Sequence, residues 1–152
     1  MKDYLLQLLD YELWANRRVI DALEMVSDPP ARAVAVMGHI LSAQHVWYSR
    51  LAHESVMTAI WTDIPVSWML ETAERQHRQL ISYLSVLPGA ELIQPISYKN
   101  SQGTPFQNLP LEILTHMGHH AVYHRGQVVQ LIRPMLDEAP VTDYIVWRRE
   151  KK

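Results

Sequence analysis

Apolar residues recur at alternating spacings of three and four through successive long stretches of the chain, and that rhythm commits most of it to amphipathic α-helix. In the first stretch Leu6, Leu9, Leu13, Ile20 and Leu23 share one stripe, interrupted only by Asn16. The sequence SDPP at 27–30 ends that helix and sets up the next. A second helix, over about residues 31–53, places Val36, His39, Ile40, Ala43, Val46 and Trp47 on a common face. After the connector WTDIPVS, a third over about 66–87 carries Leu70, Ala73, His77, Leu80, Leu84 and Leu87.

The rhythm then stops. PGAELIQPISYKNSQGTPFQNLP reads as a crossover within one domain, and its PISYKNSQGTPF portion as a short hairpin. A fourth helix is predicted from Pro110, a favourable first-turn residue, to about residue 136, with Pro134 able to end it earlier. A short last helix in TDYIVWRREK, capped by Thr142 or Asp143, lays Tyr144, Ile145 and Trp147 on the rest. The prediction is an all-α four-helix bundle, one domain over residues 1–152, with a long crossover between helices 3 and 4 and a short C-terminal helix. In such bundles, ligand sites form from side chains on facing helices.

Composition narrows the chemistry. A net charge of -2 offers no basic field for nucleic acid or anionic lipid, so neither is an expected partner. The absence of cysteine removes disulfides, thiolate ligands and a cysteine nucleophile together, so any metal must rest on His, Asp or Glu. Asp3, Asp10 and Glu12 break up the apolar residues of the first helix, unlike a signal peptide, and no apolar run approaches the ~20 residues of a membrane helix. A soluble cytoplasmic protein is expected.

Four of the eight histidines crowd into HMGHHAVYHRGQ, residues 116–127. On a helix advancing about 100° per residue, His116, His120 and His124 share a stripe with Ile113, Met117, Gln127 and Leu131 and point at the core. His119 flanks that stripe, and Arg125 is predicted to face solvent. Histidines at i and i+4 are spaced so that two imidazoles on adjacent turns can converge on one ion, and both His116 with His120 and His120 with His124 qualify. His39, among aliphatic residues of the second helix, is the natural third donor.

Two readings stay open on spacing alone. A lone histidine on an apolar face is commonly a hydrogen-bonded core residue. Three inward imidazoles are costly to bury unpaired, and a shared cation would resolve that cost. His77 reads as a polar seam residue that fixes register, with a fourth ligand or a base as the alternative. His45 reads as a surface residue, and His53 as suited to the carbonyl end of the second helix. Trp47 reads as core filler, with substrate stacking as the alternative; Glu112 reads as solvated, with orientation of a ligand as the alternative.

YELWANRRVIDAL, MGHILSAQHVWYSRL, HMGHHAVYHRGQVVQLIR and APVTDYIVW together resemble, over the whole chain, the DinB/YfiT-like family of metal-binding four-helix bundles. HRGQ, with a histidine four residues before it, is the most specific piece. The resemblance implies metal ligands at His39, His120 and His124, the three that helix geometry also favours. His119 stands where the family often shows Asn, and Tyr123 where a further His is frequent. His116 matches a position that is often His and is expected to line the pocket or act as a spare ligand. Gln127 can hydrogen-bond an imidazole or a bound water, and Gly126 would let a neighbouring helix approach closely.

Three neutral nitrogen ligands leave a divalent ion with open positions, the pattern of a catalytic site. The resemblance implies a divalent metal, zinc or nickel before others, and a homodimer. It also implies metal-dependent thiol transfer or isomerisation of a small-molecule substrate with a low-molecular-weight thiol, or hydrolysis as a variant. The competing readings are a metal-stapled bundle that binds a small molecule or regulates a partner without chemistry, and a bundle whose histidines are merely core polar groups.

Overall fold

In the computed structural model, which describes residues 1–151, the rhythmic stretches form α1 (Lys2–Met25), α2 (Ala31–Leu51), α3 (Val66–Val86) and α4 (Pro110–Ile132), and a short α5 (Tyr144–Glu150) follows. The second helix ends two residues before His53 because that residue takes a left-handed φ of 56°. The turn lets the Glu54 N–H reach the Ser49 carbonyl at 2.8 Å and the His53 N–H reach that of Arg50 at 3.3 Å. His53 thus closes α2 through its backbone, in the double hydrogen-bond pattern that commonly terminates helices. Pro134 stops α4 early, leaving Arg133–Met135 as a single 3-10 turn.

The crossover contains a 3-10 turn, Gly89–Ile93, that the sequence reading lacks, and then the expected hairpin: β1 (Ile96–Lys99) antiparallel to β2 (Pro105–Asn108). Tyr98 pairs with Phe106. At the turn, the Asn100 side-chain oxygen accepts from the backbone N–H groups of Gln102 and Thr104, both at 2.9 Å, while Gly103 supplies a φ of 82°.

In the bundle α2 lies along α4 and α1 along α3, with α1–α4 and α2–α3 as the remaining neighbours. Consecutive helices α1 and α2 therefore stand on a diagonal. The apolar interior divides in two. Val19, Ile20, Leu23, Met37, Ile40, Val128 and Ile132 fill one end, and Leu5, Leu9, Leu51, Leu80, Leu84, Leu92 and Leu114 the other. A polar layer crosses between them. In it, Gln76 donates to the Leu41 carbonyl at 3.0 Å and Ser42 to that of Gly38 at 2.8 Å.

The centre of that layer corrects the expectation for Arg125, which is only 1% exposed. The buried stripe of α4 runs through Leu114, Met117, Ala121, Val128 and Ile132, about a quarter turn round from the histidines, and Arg125 sits in its middle. A core centred on the histidines puts Arg125 outside; a core centred on the aliphatic residues puts it inside. Its guanidinium donates to both Glu12 carboxylate oxygens at 2.5 and 3.1 Å and to the Asn16 side-chain oxygen at 2.9 Å. Burial pushes the Glu12 carboxyl up, and the adjacent Arg125 charge opposes that push. Asn16, the one break in the first helix's seam, is thus a hydrogen-bond acceptor for a buried cation.

Trp147, 2% exposed, fixes α5 against Tyr11 and Ala15 of α1. Asp143 precedes α5 without a side-chain capping bond, and the Thr142 carbonyl instead accepts from the Tyr11 hydroxyl at 2.8 Å. Among the described residues, no helix is long and apolar enough to cross a membrane.

Candidate metal centre

His39 projects from the buried face of α2, and His120 and His124 from successive turns of α4, the helix packed along it. One ring nitrogen from each residue falls within 4.8 Å of the other two. His39 Nε2 and His120 Nε2 are 3.0 Å apart. Two nitrogens each ~2.0–2.1 Å from one ion can have that separation, so the pair fits a shared ligand sphere.

The orientation of His39 is set by the connector between α2 and α3. A Cβ at Gly38 would come within 3.0 Å of the Thr62 carbonyl oxygen, so glycine is what lets this segment lie directly on α2. Thus seated, the connector brings the Ile60 carbonyl 2.9 Å from His39 Nδ1 and stacks Trp61 on the imidazole, centroids 4.0 Å apart and planes 12° apart. A carbonyl only accepts, so Nδ1 carries the proton and Nε2 is left with a lone pair facing the other histidines. On α4, His124 Nδ1 donates to the Gln127 side-chain oxygen at 2.9 Å, which frees its Nε2 in the same way. Gln127 therefore hydrogen-bonds an imidazole as expected.

Burial lowers the pKa of His39 despite its bond to Ile60, and burial followed by the neighbouring histidines pushes His120 down to about 4. Those rings are neutral at pH 7, the state a metal ligand requires. The shift has a thermodynamic sign. As pH falls below ~6.5 the unfolded chain takes up the proton first, so stability present above that pH is lost as it falls towards about 4. Metal-free protein is therefore expected to show a urea midpoint that declines between about pH 7 and pH 5, less steeply in His120→Gln. Equal slopes would contradict the assignment.

The remaining histidines separate from the three. His116 is exposed rather than core-facing, at the rim: its ring lies 5.6 Å from that of His120 and 5.2 Å from that of Trp47. Trp47 is half-buried and meets Tyr98 of the hairpin at 5.4 Å, so it is more than core filler. His77 donates to Asp10 at 2.9 Å, linking α3 to α1 as a register contact. His45 is half-buried rather than a free surface residue. Glu112 accepts from the Leu109 N–H and from the Asn108 side chain, both at 3.0 Å, and those bonds hold its carboxyl below the usual range. It caps α4 and orients no imidazole. A Cβ at Gly126 would meet nothing within 4 Å, so the close approach expected there occurs at Gly38 instead. A groove of about 470 Å³ lies between α1 and α4, where Leu5, Leu9, Glu12 and His119 line it.

Gly38, Ile60 and Trp61 are the parts of the site that helical periodicity does not disclose, since two of them lie in the connector. Their one trace in the sequence is a glycine immediately before His39 on a face that otherwise carries side chains.

The sequence model of the DinB family matches residues 1–151. Protein DinB of Bacillus subtilis (strain 168) is 23% identical over 162 aligned positions, which cover 95% of this chain and 93% of that protein. No solved structure matches the chain.

Proposed function

Because the chain belongs to the DinB family, we propose that it is a divalent-metal-dependent enzyme of the thiol S-transferase or isomerase type, acting on a small electrophile with a low-molecular-weight thiol. The observation that carries this reading is the donor set: three imidazoles converge, and the cluster includes no carboxylate to complete the sphere. A three-nitrogen set leaves positions open for a substrate atom, as catalytic sites do. Imidazole donors suit zinc and nickel.

A divalent ion bound there supplies Lewis acidity, which lowers the pKa of a thiol or water and polarises a carbonyl. The chain's own residues do the rest. Ile60 and Gln127 hold His39 and His124 in the tautomer that presents Nε2 inward. Trp61 covers one face of His39 and limits water on that side. His116, one turn from His120 and with its pKa lowered by partial burial, is a free imidazole that can accept the proton of an incoming thiol.

The test is consumption of an electrophile by metal-loaded protein with and without an added thiol. Thiol-dependent turnover, lost on chelation and restored by zinc or nickel, is the expected result. Turnover with water alone would make the protein a hydrolase. Thermal stabilisation by the same compounds without product would make it a binding module.

A further inference from the structure

We propose that Arg50 and Trp47, on the helix that carries His39, bind the anionic group, carboxylate or phosphate, of an aromatic or apolar substrate. Treating that ligand as the substrate rests on the reading of the histidines as the reacting end. His39, Trp47 and Arg50 follow one another along α2, and His124, His120 and His116 run beside them along α4. Rings connect the two ends in short steps. His120 lies 5.6 Å from His116, His116 5.2 Å from Trp47, and the Trp47 ring centre 4.4 Å from the Arg50 guanidinium carbon. Tyr98 of β1 closes the far side, its ring centre 4.8 Å from that carbon. A cavity of about 280 Å³ opens against Trp47, His116 and Ile113.

Arg50 has a cation's needs and no anion to meet them. Among the described residues no carboxylate lies within salt-bridge distance of it, and its buried Nε has no hydrogen-bond partner. Burial among rings pulls its pKa down, as expected for a charge without a counter-ion. Its place in the last turn of α2 and its contact with two aromatic faces both favour a cation. Neither occupies the planar fork of donors, whose geometry matches carboxylate and phosphate oxygens. Glu112, the carboxylate at the cavity's edge, is already bonded to Leu109 and Asn108. The arrangement thus selects substrates that carry a negative group at one end and the reacting atom at the other.

The experiment is an NMR titration of the purified full-length protein, following the indole N–H signals of its five tryptophans, with Trp47 assigned through Trp47→Phe. The probes are phenylacetate, phenyl phosphate and the neutral phenylacetamide. A saturable shift at Trp47 with at least one anion and none with the amide is expected, and the anion that binds identifies the group recognised. Arg50→Met, which keeps an unbranched apolar stem and removes the guanidinium, should weaken that binding by about tenfold or more, and Arg50→Lys by less. The proposal is overturned if neither anion shifts Trp47, if the amide binds as well as the acids, or if Arg50→Met binds like the parent. No thiol or turnover enters this readout. Loss of the thiol reaction with Arg50-dependent binding intact would therefore sink only the reading of the histidine centre.

Discussion

His120→Ala is expected to abolish metal binding, taking the protein from about one ion per chain to none detectable by elemental analysis, because it removes the central ring of the three and leaves His39 without its 3.0 Å partner. Untagged protein is required, since a histidine tag would load nickel by itself. The variant should stay folded, because His120 belongs to neither apolar cluster. Gln127→Leu gives a graded version: the ligands remain, but His124 loses the acceptor that fixes its tautomer, and affinity should fall by about 10–100-fold. Metal retained by His120→Ala at the parent's level would show that the three rings form a polar network and not a ligand set.

The largest loss of stability is expected from Glu12→Ala. It leaves the Arg125 guanidinium, 1% exposed, without its carboxylate, and removing one member of a buried pair costs about 3–5 kcal/mol. That is a large share of a typical domain's ~5–15 kcal/mol, so urea denaturation should show a much reduced midpoint or a chain that does not fold. The double variant Glu12→Leu with Arg125→Met replaces the pair by apolar groups of similar volume and should recover most of the loss. A double variant no better than the single one would mean that packing at these positions, and not an uncompensated charge, sets the cost.

The helices were legible because periodicity is a property of neighbours along the chain. The expected helix ends fell within a few residues of the observed ones, and the hairpin was legible from Asn and Gly at its turn. Three things escaped for one reason: they depend on where the core's centre lies. Arg125 is buried because the aliphatic residues of α4 outweigh its histidines in setting the inward face. His116 is exposed because the same rotation carries the start of the histidine stripe to the rim. Glu12, in a stretch that reads as merely broken by acids, becomes interior once Arg125 is. The three histidines that the structure gathers, His39, His120 and His124, were legible as a set because i, i+4 spacing on one helix and a lone histidine on another survive that rotation. The outer layer of the site was not, since a loop's path over Gly38 follows from tertiary contact and leaves no period to read.

That division of labour has an evolutionary reading. The three imidazoles are anchored on helices whose other residues build the core, so substitutions around them are constrained by folding as well as by function. Ile60 contributes only a backbone carbonyl and Trp61 only a covering face, both from a segment outside the helices, and Tyr98 reaches Trp47 from the hairpin. Connecting segments tolerate sequence change and insertion far better than packed helices do. Drift in the connector and the hairpin can therefore alter the surroundings of the histidine centre while the bundle and its histidines stay as they are.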